Sequence, residues 1–87
     1  MVELDILGAT VSASKEAIAR VRDLAAAQAG RSASARDLSL VLERALNARS
    51  KVALQRGETR ALLDLIDQED PDLAALAEAA RARLNTH

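Results

Sequence analysis

The chain opens on an alternation. Val2, Leu4 and Ile6 are apolar and Glu3 and Asp5 are charged, a period of two that puts one set on each face of a half-buried β-strand. Gly8 interrupts it. Continued straight, the strand would place Thr10 and Ser12 on the face of Val2, Leu4 and Ile6, whereas burial favours Ala9, Val11 and Ala13. Gly8 therefore marks a break, bulge or turn. From Ser14 the spacing becomes helical. Ser14 is a good N-cap, Glu16 stands in the first turn where the helix dipole favours negative charge, and Ile18, Val21, Leu24 and Ala25 form a narrow apolar stripe that Gly30 ends.

A second helix starts at Ser34-Ala35-Arg36-Asp37, which has the form of a capping box with Asp in place of Glu or Gln. Leu38, Val41, Leu42, Ala45, Ala48 and Val52 then keep helical spacing up to a stop at Arg56-Gly57. Leu40 and Leu46 lie off that stripe, and a helix apolar on more than one side needs more than one neighbour. A third helix over residues 59–68 carries Leu62, Leu63, Leu65 and Ile66. The stretch "EDPDL" starts a fourth, with Asp70 as N-cap, Pro71 at the first helical position and Asp72 in the first turn, and its stripe is Leu73, Leu76, Ala77, Ala80 and Leu84.

The pattern thus predicts a mostly α fold, a short N-terminal β-strand followed by about four helices. Residues 1–57 form the candidate dimerisation and DNA-binding unit. Residues 58–87 form a helical pair that either binds a partner or covers the core. In an 87-residue chain with 49% hydrophobic residues and no Phe, Trp or Tyr, the core is built from Leu, Ile, Val and Ala. Such small side chains bury little area each, which makes a lone monomer marginal and a homodimer the expected state.

Charge changes the picture further. The net charge is −1, but residues 1–57 hold nine Lys/Arg against six Asp/Glu, and residues 58–87 hold three against seven. A basic front and an acidic back suggest different partners. Without cysteine there is neither a disulfide frame nor a thiolate metal site. No apolar run reaches membrane-spanning length and no signal peptide opens the chain, so a cytoplasmic protein with no membrane contact is expected.

Catalytic chemistry finds little footing. The single histidine is His87, so the serines have no base to activate them, and they read as caps and turn residues. The acidic run Asp64, Asp67, Glu69, Asp70 and Asp72 lacks the central glycine of a calcium loop and contains Pro71. Neither a metal nor another cofactor is expected, and the chain is not expected to be an enzyme.

Interaction surfaces remain. The pieces "ATVSAS", "KEAIARVRDLAAAQAG", "GRSAS" and "RDLSLVLERAL", within residues 8–56, together resemble the ribbon-helix-helix family of DNA-binding repressors and antitoxins. The resemblance implies a strand from each of two protomers paired into a ribbon that enters the major groove. Thr10 and Ser12 would then meet base edges, and Arg31, Ser32 and the amide end of the second helix would meet phosphate. Val11, Ile18, Val21, Leu38, Val41 and Leu42 would build the dimer and its core. Leu73, Leu76 and Leu84 would form the partner-binding stripe, for which an antitoxin's toxin is one candidate. This ribbon departs from the family pattern in offering short hydroxyls instead of long polar side chains. A lesser likeness is to the helical region that precedes the nuclease module in some bacterial HNH proteins, with no activity to carry over. Two readings stand: a DNA-binding transcriptional regulator, with antitoxins among its kind, and a homodimeric helical protein-protein interaction module.

Overall fold

The computed structural model describes residues 1–48, 51–67 and 71–85, with Asp72 described through its backbone alone. Val2–Ile6 (β1) and Ala9–Ala13 (β2) form an antiparallel hairpin, with Val2 opposite Ala13, Leu4 opposite Val11 and Ile6 opposite Ala9. The two residues between them, Leu7 at φ 50° and Gly8 at φ 97°, have the paired positive φ angles that a tight hairpin turn requires. The Asp5 carboxylate accepts the Gly8 N–H at 2.8 Å and pins the turn.

Two helices follow, Lys15–Gln28 (α1) and Ala33–Asn47 (α2). Ser14 caps α1 by accepting the Ala17 N–H at 3.1 Å. Ser32 does the same for α2 through the Ala35 N–H at 3.3 Å, so the helix opens ahead of the expected Ser34. Instead of running on to Arg56, α2 ends at Asn47, and Val52–Leu54 form a third strand (β3). β3 lies parallel to β1, with Leu4 opposite Val52 and Ile6 opposite Leu54, giving the strand order β2-β1-β3. Arg56–Ile66 (α3), a short 3-10 turn at Pro71–Leu73 and Ala74–Asn85 (α4) complete the chain. The expected N-cap at Asp70 falls outside the described residues.

The result is an α+β fold of two layers. This corrects the mostly helical expectation of a single strand followed by helices. A three-stranded mixed sheet stands where one strand was foreseen, and β2 pairs with β1 of its own chain instead of with a second protomer. The reason lies in β1. Its alternate residues Val2, Leu4 and Ile6 are buried, and a strand with one face buried in a core leaves backbone N–H and C=O groups along both edges that must find partners. β2 satisfies one edge and β3 the other.

All the helices lie on one face of this sheet. α2 sits over β1 and β3, and α4 over β2 and β1. Leu4, Ile6, Ile18, Leu38, Leu42 and Leu62 are wholly buried between the layers, and Leu73 and Leu76 join the same core. One core therefore runs through both the basic front half and the acidic back half. Thr59, buried with them, donates its hydroxyl to the Gln55 carbonyl at 2.9 Å and leaves no unpaired polar group. Among the described residues, no helix is long and apolar enough to cross a membrane.

Candidate functional site

Thr10 and Ser12 stand exposed on the open face of the sheet, as the parity of the strand requires, with Ala9 and Val11 turned toward the helices. The hairpin register adds what the strand alone did not show. Glu3 is directly opposite Ser12 and Asp5 directly opposite Thr10, on the same face. The Lys51 ammonium lies 3.9 Å from the Asp5 carboxylate, so the surface around the two hydroxyls carries two carboxylates against one ammonium. A phosphate backbone approaching this face meets like charge.

Arg31 and Ser32 sit elsewhere, in the connection between α1 and α2. The Gln28 carbonyl accepts from both the Arg31 and the Ser32 N–H groups, at 2.9 and 3.1 Å, and this folds the chain back into the antiparallel α1–α2 pair. Ser32 then caps α2, and its carbonyl accepts the Arg36 N–H at 3.2 Å. The cap leaves the Ala33 and Ser34 amides without an intrahelical acceptor, as at any helix start.

Beside this turn the first turn of α2 and one side of α3 enclose a cleft of about 530 Å³. Ala35, Ala61 and Leu65 form its apolar floor, and Gln28, Ser32, Ser34, Arg60 and Asp64 its polar wall. Of the nearby arginines Arg60 lines the cleft, while Arg31 and Arg56 stand next in the chain to the lining residues Ser32 and Gly57. Arg31, Arg56 and Arg60 are exposed and, among the described residues, make no ion pair, Arg60 and Asp64 included. Sequence reasoning found Arg31 and Ser32 but not Arg56 and Arg60. Arg60 is brought beside Ser32 only by the packing of α3 on α2, which follows the short strand β3.

The other expected site residues are accounted for inside the chain. Ile18, Val21, Leu38 and Leu42 are buried, and Val11 and Val41 are half-buried against them. Leu73 and Leu76 are also buried in the chain's own core, and Leu84 is half-buried. Of the acidic run, Asp67 is paired with Arg81 across the α3–α4 connection. Glu69 and Asp70, like His87, lie outside the described residues. Among the described residues no group of three or more His, Asp or Glu side chains is placed to hold a metal ion.

The fold defines a small α+β domain, and among the described residues its surface includes a cleft lined by Arg60, an acidic sheet face and an exposed outer face of α2. No protein-family model, curated protein or solved structure matches the chain.

Proposed function

We propose that the chain is a non-catalytic DNA-binding regulator that holds the phosphate backbone through the α2–α3 cleft. The observation that supports this is the exposed Arg60 guanidinium in the cleft wall, with the exposed Arg31 and Arg56 next in the chain to the lining residues Ser32 and Gly57 and, among the described residues, none of the three in an ion pair. Arginine offers a planar fork of donors suited to phosphate oxygens. The Ala33 and Ser34 amides point the positive end of the helix dipole the same way. The contacts are of the positioning kind, which fix a protein on a duplex without reading its sequence. In this reading Thr10 and Ser12 stay away from DNA, because Glu3 and Asp5 outnumber Lys51 beside them, whereas in the cleft wall Arg60 stands against a single carboxylate, Asp64. An antitoxin's toxin-binding arm forms no part of it, since Leu73 and Leu76 are already used in the core.

The test is titration of a labelled mixed-sequence duplex at low and then moderate salt. Binding should weaken steeply with salt, and Arg31→Ala with Arg60→Ala should reduce the slope of log K against log salt by about 2, about one per lost phosphate contact. Thr10→Glu should leave the affinity unchanged. Absence of binding at the lowest salt would overturn the proposal, and loss of binding in Thr10→Glu would move the interface to the sheet.

A further inference from the structure

Among the described residues, no other element covers the outer face of α2. Its buried residues, Ala35, Leu38, Leu42 and Ala45, point at the core. Leu40 points the opposite way and is 52% exposed, beside a shallow groove that Glu43, Arg44, Asn47 and Ala48 also line. Around it stand four exposed charges, Arg36, Asp37, Glu43 and Arg44. Among the described residues none of the four makes an ion pair. Nor does any of them have an opposite charge three or four residues along α2, where helical pairs form.

Their arrangement is self-complementary. At about 100° and 1.5 Å per residue, Asp37 and Arg44 lie on one flank of Leu40, about 60° and 40° round from it. Arg36 and Glu43 lie on the other flank, about 40° and 60° round. Along the helix, Asp37 and Glu43 are about 4.5 Å from Leu40 in opposite directions, and Arg36 and Arg44 about 6 Å. A two-fold axis beside Leu40 lays a second α2 antiparallel against the first, keeps like flanks together and reverses their heights. Each Arg44 then stands beside the second copy's Asp37, and each Glu43 beside the second copy's Arg36. At the ends, small Ala33 meets larger Asn47, which lets the helices approach. The antiparallel direction also sets the two helix dipoles favourably.

We infer that α2 is a docking face for a second copy of this chain, an antiparallel α2–α2 contact centred on Leu40 and flanked by four ion pairs. The inference stands independently of the DNA reading. A single helix face buries less than the ~1,200 Å² of a standard stable complex, so the dimer is weak, with a dissociation constant of tens of micromolar to about 100 μM.

Sedimentation equilibrium across the micromolar range tests it. The full chain should show a monomer–dimer equilibrium that weakens with salt. Leu40→Glu should remove the dimer, and Asp37→Lys or Arg44→Glu alone should weaken it about tenfold or more, because each sets like charges side by side. Mixing the last two variants should restore association, since Asp37 of one chain then faces Arg44 of the other and the two introduced charges face each other. A parallel pairing would not be rescued in this way. All three positions are exposed, and circular dichroism checks that the fold is kept. A chain monomeric throughout at low salt, a dimer unmoved by Arg44→Glu, or a mixture that fails to associate would each overturn the inference.

Discussion

The hairpin turn sets the register on which the whole sheet depends, and Gly8→Ala probes it most directly. Gly8 sits at φ 97°, a conformation that costs an L-residue with a side chain about 1–2 kcal/mol. A Cβ added there would meet nothing within 4 Å, so the steric contribution is nil and the penalty is the backbone's own. The native Gly8 N–H bond to Asp5, at 2.8 Å, keeps the turn closed and prevents it from opening to a relaxed φ. For a domain of this size a loss of 1–2 kcal/mol lowers the melting temperature by about 5–15 °C, and it is a large share of a total stability of about 4–13 kcal/mol. Thermal and urea unfolding followed by far-UV circular dichroism give the number. The control is D-alanine at the same position, introduced by chemical ligation, because the mirror-image residue favours positive φ. It should be at least as stable as the native chain, since it also restricts the unfolded state. If the L-alanine variant unfolds within about 0.3 kcal/mol of the native chain, the turn is not held at positive φ and the Val2–Ala13 register loses its anchor.

Two further substitutions test the layers that the turn aligns. Leu4→Ala, in the wholly buried centre of β1 between Val11 and Val52, should cost about 2–5 kcal/mol in urea unfolding; a cost below 1 kcal/mol would mean that β1 is not the central strand. Ser32→Ala should cost about 1 kcal/mol through loss of the α2 cap, with the denaturant midpoint falling at constant slope.

Local pattern revealed β1, Gly8 as a break, the facing of β2 and most of α1, because each follows from neighbours a few residues away. β3 was not legible. Val52 continues the spacing of Ala45 and Ala48, which suits a helix, and the run Val52-Ala53-Leu54 is too short for alternation to separate from that spacing. What makes it a strand is its pairing with β1, some fifty residues earlier in the chain, and a non-local hydrogen-bonding demand leaves no local trace. The same gap hid half of the cleft. Ser32 was readable from a turn and a cap, whereas Gly57, Arg60 and Asp64 belong to it only because β3 returns the chain to the sheet and α3 then packs on α2. Leu40 was legible as an apolar residue off the main stripe; that nothing inside the chain covers it required the structure.

The two proposed surfaces use separate arginines, Arg31, Arg56 and Arg60 in one and Arg36 and Arg44 in the other. If α2 pairs as inferred, Arg36 and Arg44 are neutralised by the second copy's Glu43 and Asp37. Arg31, Arg56 and Arg60 keep their charge for phosphate, and a dimer presents two such clefts. Joining two weak phosphate-binding sites raises apparent affinity without a new contact, provided both can reach one duplex. Salt weakens both the dimer and its hold on phosphate, so salt dependence alone cannot apportion the effect. The charge-exchanged pair of Asp37→Lys and Arg44→Glu can, because neither changes a residue of the cleft. Each variant alone should bind a duplex long enough for two clefts little more tightly than one too short for two, whereas the mixture should gain clearly on the longer duplex; comparing each sample with itself removes the effect of the changed net charge. An equal gain on the longer duplex for the separate variants and for the mixture would show that the two surfaces act without reference to each other.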